Sequence, residues 1–232
     1  MKTKNILYSV TAISALCFLS ACDSDNNDNT EMMPATYSYQ VAVKNLTYAQ
    51  PISPVAVVLH NEGYLWQIGE SASVALETMA ESGDNSGLLD GTNVMASASG
   101  AGVVMPSMSE TIMVSIEDTM PMYLSVATML VNTNDAFTGL NAIDISSLAV
   151  DESVTFTAGV YDAGTEKNSE MMGTIPGPAD SGEGFNAARD DVDVVSMHPG
   201  VVSADDGLST SVLTQAHKFD NPSVSFTITR ME

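Results

Sequence analysis

Three acidic side chains in the middle of the chain have the chemistry and the spacing to bind a hard cation. Asp162 and Glu166 lie four residues apart on either side of Gly164, which permits a tight turn. Asp135 lies 27 residues before Asp162 and supplies a third carboxylate. Calcium accepts carboxylates, backbone carbonyls and water in a shell of about six to eight oxygens, whereas zinc and copper prefer softer ligands. From their chemistry and spacing the three acids admit a site for a hard cation such as calcium, provided that the fold brings them together.

The same acids also admit two interpretations without an ion. Asp162 could cap its own turn while Glu166 is solvated, as is common for acidic side chains in turns. Two of the three carboxylates could instead lie at the distance required for acid–base hydrolysis of a glycoside. Against hydrolysis, the chain has a single tryptophan for stacking on sugars and contains no Gly-x-Ser-x-Gly motif.

Other polar clusters give weaker indications of a site. His60, His198 and His217 are far apart in the sequence and lack the spacing of metal ligands, so we expect each to be structural or exposed. The acids at residues 190–193 could hold a second cation, but a turn before a strand accounts for them equally well.

The N-terminus has the pattern of a bacterial lipoprotein signal. Lys2 and Lys4 precede an apolar stretch at residues 6–19, and the sequence Leu-Ser-Ala-Cys then ends at Cys22. The stretch is too short to span a membrane comfortably, so acyl chains on Cys22 would provide the anchor. The alternative is an ordinary secretory signal with an incidental cysteine. We predict a signal at residues 1–21, a lipidated and disordered tether at 22–36, and a domain at 37–232.

The charge of the chain limits which molecules it can bind, and its cysteine content limits the covalent chemistry of the mature domain. The 232-residue chain has a formal net charge of −22, and five basic residues face 29 acidic ones once residues 1–21 are removed. Such a surface repels nucleic acid and anionic lipid head groups. Cys17 leaves with the signal and Cys22 is acylated, which excludes disulfides and cysteine nucleophiles from the mature domain.

The pattern of apolar residues indicates a protein built mainly of short strands. Period-two alternation or short β-branched runs predict strands at residues 37–46, 55–60, 111–116, 123–131, 154–161, 193–197 and 223–230. One helix is predicted at residues 72–82, ending at Gly83, with Glu77 and Glu81 directed towards solvent. Residues 88–102 read as a long surface loop, and Trp66 reads as a core residue. The expected fold class is all-β: an antiparallel β-sandwich of about eight strands with one short helix and long loops.

Several motifs together resemble the spondin domain, the N-terminal β-sandwich module of F-spondin and mindin. Members of that family carry one aspartate in a Pro-Asp-aromatic-Phe-x-Gly loop and two more in a Tyr-Asp-Ala-Gly-Thr-Asp loop. This chain has Asn-Asp-Ala-Phe-Thr-Gly at residues 134–139 and Tyr-Asp-Ala-Gly-Thr-Glu at residues 161–166. Further matches are the Asn-Leu-Thr segment at residues 45–47, the Ser-Pro pair at 53–54 and His60.

The resemblance implies that Asp135, Asp162 and Glu166 are the calcium ligands. Glu166 departs from the family's aspartate, and its extra methylene moves the carboxylate outward. The animal modules also carry disulfides, which this chain lacks, so its core alone must hold the domain together.

The expected function is that of a non-enzymatic, lipid-anchored binding or adhesion module in a bacterial cell envelope, facing the periplasm or the exterior. Its partners would be the membrane, through Cys22, and a protein or glycan of unknown identity. Two alternatives stay open: a secreted hydrolase or carbohydrate-active accessory protein that uses the acidic cluster, and an envelope structural lipoprotein without a specific ligand.

Overall fold

The computed structural model describes residues 34–232, which contain ten strands, two α-helices and two short 3-10 helices at Ala204–Asp206 and Gln215–His217. The signal at residues 1–21, Cys22 and most of the tether lie outside the described residues. In chain order the elements are β1 (Thr36–Asn45), β2 (Ala56–His60), α1 (Val74–Ser82), α2 (Ser86–Leu89), β3 (Val94–Ser99), β4 (Ser109–Glu117), β5 (Tyr123–Met129), β6 (Ala136–Asp144), β7 (Ser153–Ala158), β8 (Val160–Asp162), β9 (Ser196–Met197) and β10 (Val224–Arg230). None of the helices in this region is long and apolar enough to cross a membrane.

The strands form two antiparallel sheets that pack face to face as a sandwich. The four-stranded sheet has the order β4-β1-β10-β7, and the six-stranded sheet has the order β3-β2-β5-β6-β8-β9. Alternation along β1 directs Tyr39, Val41 and Val43 into the core between the sheets, while Gln40 and Lys44 lie on the outer face. The predicted fold class, an antiparallel β-sandwich, is confirmed.

A second apolar layer lies on the other face of the six-stranded sheet. Leu76 and Met79 of α1 belong to a buried cluster with Phe137 and Trp66, and the rings of Phe137 and Trp66 meet edge to face at 5.1 Å. All five residues of β2 are buried because that strand is covered on both faces. The prediction that Trp66 is a core residue is confirmed.

Helix α1 ends at Ser82 as predicted and begins at Val74, two residues later than predicted. The Ser73 hydroxyl accepts a hydrogen bond from the Leu76 N–H at 3.2 Å, and Gly83 takes φ = +74° as it donates to the Met79 carbonyl. The expected orientation of its acids, however, is wrong. Glu77 and Glu81 are 3% and 1% exposed, because residues 186–193 fold over them with polar partners.

Two other expectations about elements are also wrong. Residues 88–102 are not a continuous surface loop, since α2 ends there and β3 pairs antiparallel with β2 as an edge strand. Its small residues, such as Ala96 and Ala98, give a weak strand pattern. The segment that begins with Ala136 is strand β6 in the middle of the six-stranded sheet, where we expected a loop.

The strand predicted at residues 154–161 is divided at Gly159. The residues before it form β7 of the four-stranded sheet, and those after it form β8 of the six-stranded sheet. The chain therefore crosses from one sheet to the other at this glycine. This crossing delivers the acidic turn that follows β8 to the end of the six-stranded sheet.

Candidate cation site

The pairing of β6 with β8 brings two of the predicted site residues together. Ala136 lies opposite Asp162 in this antiparallel pair, so Asp135 immediately precedes β6 where Asp162 ends β8. Both carboxylates therefore project at the same end of the six-stranded sheet, although 27 residues separate them in the sequence.

The turn after Asp162 depends on glycine. The Asp162 Oδ1 atom accepts a hydrogen bond from the Gly164 N–H at 2.7 Å. Gly164 has φ = +70°, and a Cβ atom at this position would lie 2.4 Å from the Val194 carbonyl oxygen. Asp162 thus does cap its own turn, as one interpretation expected, and the turn directs the following backbone N–H groups towards Asp135.

Asp135 is fully buried, and only one of its two carboxylate oxygens accepts hydrogen bonds. Its Oδ2 atom accepts hydrogen bonds from the Thr165 N–H at 2.8 Å, the Thr165 hydroxyl at 3.2 Å and the Glu166 N–H at 3.1 Å. Its Oδ1 atom has no hydrogen-bond partner among the described residues. A buried carboxylate oxygen without a partner is costly, and it is the feature of this end of the sheet that most requires an explanation.

The acids are close enough to perturb one another. Burial raises the pKa of Asp135 to about 7, and the neighbouring Asp162 carboxylate contributes to the shift. Burial also raises the pKa of Glu166 to about 8, with contributions from Glu81 and then Asp135. A cation beside these oxygens would reverse both shifts, because a positive charge favours the ionised form of a carboxyl group.

His198, which the sequence pattern did not connect to the acids, is linked to Asp162 through the side chain of Asn168. The Asp162 Oδ2 atom accepts a hydrogen bond from the Asn168 amide at 2.5 Å, and the other end of that amide contacts His198 Nε2 at 2.9 Å. Burial lowers the pKa of His198. His60 has a separate structural role, since its two nitrogens contact the Glu62 carbonyl and the Ser125 hydroxyl.

The acids have the oxygen chemistry that calcium requires, but they are not assembled into a finished site. Within residues 34–232, no group of three or more His, Cys, Asp or Glu side chains is arranged to hold a metal ion. Both oxygens of Asp162 accept hydrogen bonds, whereas Asp135 keeps one oxygen unpartnered. Glu166 is half-buried and lines a cavity of about 380 Å³. Glu166 is the only one of the three acids that lines this cavity.

Two of the three acids in the stretch at residues 190–193 form ion pairs with basic side chains. Asp190 pairs with Lys167 at 3.2 Å, and Asp193 pairs with Arg189. These ion pairs account for two of the acids at residues 190–193. Neither pair was predicted from the sequence.

Two antiparallel sheets with an acidic turn at one end define a β-sandwich module whose distinctive groups lie in its loops. The family model for Spondin_N matches residues 36–175, from β1 through the acidic turn, and the chain belongs to this family. Spondin_N domains are non-catalytic modules of an extracellular, adhesion type. No curated protein matches the chain.

Proposed function

We propose that this protein is a non-enzymatic, lipid-anchored binding module of the bacterial cell envelope whose acidic turn binds calcium. Membership of an adhesion-type family supports binding rather than turnover. The anchor and the location rest on the N-terminal sequence that ends at Cys22. The partner of the module is a protein or a glycan, because a surface with a net charge of −22 repels nucleic acid.

The unpartnered Oδ1 atom of Asp135 is the single observation that carries the calcium proposal. An ionised carboxylate this deeply buried needs a positive charge or a further donor to offset its desolvation. No basic side chain within residues 34–232 forms an ion pair with Asp135, Asp162 or Glu166. A calcium ion would supply that charge and coordinate oxygen atoms only.

Each of the three acids would contribute differently to the ion. Asp135 offers an oxygen that is free of hydrogen bonds, whereas Asp162 would give up the Asn168 amide in order to coordinate. Glu166 lines the cavity and would have to turn its longer side chain towards the ion. Backbone carbonyls and water would complete the shell. The bound ion would neutralise the cluster and fix the turn after β8 against the start of β6.

Calorimetric titration of the purified protein with calcium tests this function. We expect saturable heat from the wild type, loss of binding in Asp135→Asn and weaker binding in Asp162→Asn. Asp90→Asn is the matched control, because that aspartate is exposed and lies outside the cluster. The proposal fails if the wild type gives no heat, or if Asp135→Asn binds calcium as the wild type does.

The raised pKa of Glu166 is the one observation that favours hydrolysis as a second candidate. A carboxyl group that keeps its proton at neutral pH can act as a general acid, and Glu166 borders a cavity. Asp135 is buried and engaged by three hydrogen bonds, which leaves it poorly suited to act on a substrate. Reproducible turnover of a polysaccharide or ester that Glu166→Gln abolishes would favour an enzyme over a binding module.

A further inference from the structure

A cleft lies between the end of β2 and the two α-helices, away from the acidic turn. Its lining includes His60, which pairs with Tyr123 at the start of β5, whereas the start of β6 beside the acidic turn pairs with the end of β5. The cleft contains a cavity of about 310 Å³, which shares Glu62 and residues 92–94 with a second cavity of about 380 Å³. A space of this size accepts a small ring or one unit of a longer chain.

The apolar part of the cleft is buried, and its polar part is exposed. Val58 and Leu88 line the cleft and are buried, so they form its floor. Glu62, Thr92 and Asn93 also line it and are exposed, so they form its rim. Within residues 34–232, the side chains of these three rim residues form no hydrogen bond or ion pair. Their donors and acceptors are therefore available to a ligand.

Hydrogen bonds at both ends hold the wall of the cleft that contains Glu62. The carbonyl of Glu62 accepts a hydrogen bond from His60 Nδ1 at 2.9 Å. At the other end, the Leu65 N–H donates to the side-chain oxygen of Asn141, also at 2.9 Å. A wall that is already fixed in the free protein loses little conformational entropy when a ligand binds.

Tyr64 gives the cleft an accessible aromatic ring. It follows Gly63, which has φ = +82°, a conformation that glycine adopts without strain. A Cβ atom on Gly63 would lie 3.1 Å from the side-chain nitrogen of Asn93, so the two walls of the cleft approach each other here. Tyr64 lines the cavity and is 66% exposed, and its hydroxyl has no hydrogen-bond partner within residues 34–232. The ring is therefore free for a ligand to pack against.

We infer that this cleft binds a neutral sugar ring, either as a free sugar or as the terminal unit of a glycan. A sugar ring combines an apolar C–H face with hydroxyl groups that both donate and accept hydrogen bonds. Tyr64 offers an aromatic surface to that face, while Glu62 accepts and Asn93 both donates and accepts. No lysine or arginine of residues 34–232 lines either cavity, so an acidic sugar would meet Glu62 without a counter-charge. The inference does not depend on the acidic turn, and it adds a ligand class to the proposed function.

Saturation-transfer NMR of the purified protein with a panel of sugars tests the cleft. The panel contains glucose, galactose, mannose and N-acetylglucosamine, with glucuronic acid and N-acetylneuraminic acid as acidic comparators. We expect saturable binding of at least one neutral sugar and of neither acidic one. Oligosaccharides that end in the bound sugar then identify the source: a glycan site keeps or gains affinity for them, and a site for the free sugar loses it.

Variants of the cleft locate the binding. Tyr64→Ala should weaken it by about tenfold or more, whereas Tyr64→Phe, which keeps the ring, should bind within a few-fold of the wild type. Glu62→Gln should also weaken it, because the amide replaces one acceptor oxygen with a donor. Tyr48→Ala is the matched control, since Tyr48 is 82% exposed and lines neither cavity.

The possible results separate this site from the proposed function. Failure of every neutral sugar to bind, equal binding of the acidic sugars, or unchanged affinity in Tyr64→Ala overturns the inference. Calcium titration of the same protein reports on the proposed function alone, because the three acids lie outside the cleft. Melting temperatures without sugar should agree among the variants, since the substituted side chains are exposed. If Tyr64→Ala melts early, Glu62→Gln decides instead, and unchanged affinity in that variant contradicts the inference.

Discussion

Asn168 links the buried carboxylate of Asp162 to the imidazole of His198 through two side-chain hydrogen bonds. The Gly200 N–H donates to His198 Nδ1 at 2.9 Å, so the ring must carry its hydrogen on Nε2 and donate to the Asn168 carbonyl oxygen. That leaves the amide of Asn168 oriented to donate to Asp162. The orientation of Asp162 is therefore fixed by a neutral histidine that follows it by 36 residues.

Removal of the linking amide should destabilise the protein. Asn168→Ala leaves Asp162 Oδ2 and His198 Nε2 without these partners, and we expect the free energy of unfolding to fall by about 1–3 kcal/mol. Urea denaturation measures the change. Asn93→Ala, at an exposed position, serves as the control and should leave stability unaltered. An equal effect of the two substitutions would show that the link contributes nothing.

The raised pKa of Asp135 makes stability in chelator depend on pH. An acid whose pKa is about 7 when folded and about 3.8 when unfolded binds more protons in the folded state, so stability falls as pH rises from 4 to 7. The span corresponds to roughly 4 kcal/mol, and Asp135→Asn should remove it. Denaturation curves at several pH values, with chelator and with calcium, measure this fall in the free energy of unfolding. Calcium should cancel the fall, and identical pH profiles for wild type and variant would contradict the prediction.

Sequence pattern predicted the fold class and the turn after Asp162 because both are encoded locally. The alternation of Tyr39, Val41 and Val43 specifies one buried face of a strand without reference to the rest of the chain. The Asp-Ala-Gly-Thr turn is likewise a local structure, and its resemblance to a family motif indicated which distant acid to pair with it. The convergence of Asp135 with Asp162 then followed from strand pairing.

The burial of Glu77 and Glu81 could not be predicted in the same way. A helical pattern assigns acids to the solvent face, but here Arg189, 112 residues after Glu77 in the sequence, pairs with it and offsets its burial. Strand β6 was missed for a related reason. Gly139 weakens its strand pattern, yet a Cβ atom there would lie 1.9 Å from the Val126 carbonyl oxygen, so the close approach of β5 requires glycine.

The glycine of the acidic turn offers a test of how tightly the turn is held. Gly164→Ala introduces both an unfavourable backbone conformation and a clash with the Val194 carbonyl oxygen. Gly69→Ala is the matched control, because Gly69 has φ = +91° and a Cβ atom there would meet no other atom within 4 Å. We expect Gly69→Ala to cost about 1 kcal/mol and Gly164→Ala clearly more, as measured by thermal or urea denaturation. Similar losses would mean that the turn can shift to accept a methyl group.

The buried ion pair of Arg189 with Glu77 and the exposed ion pair of Lys167 with Asp190 should differ sharply in their contribution to stability. Arg189→Met leaves Glu77 buried without its cation, and we expect a loss of about 3 kcal/mol or more in the free energy of unfolding. The double variant Arg189→Met with Glu77→Met should recover most of that loss, because an apolar pair of similar size has no charge to desolvate. Lys167→Met removes only an exposed pair with Asp190 and should have no measurable effect. Urea denaturation of the wild type and the three variants measures these changes. If the double variant is as unstable as Arg189→Met, the prediction is wrong. The guanidinium would then stabilise the protein through its other hydrogen bonds, to the Ala72 carbonyl and to Asp193, and not by compensating the charge of Glu77.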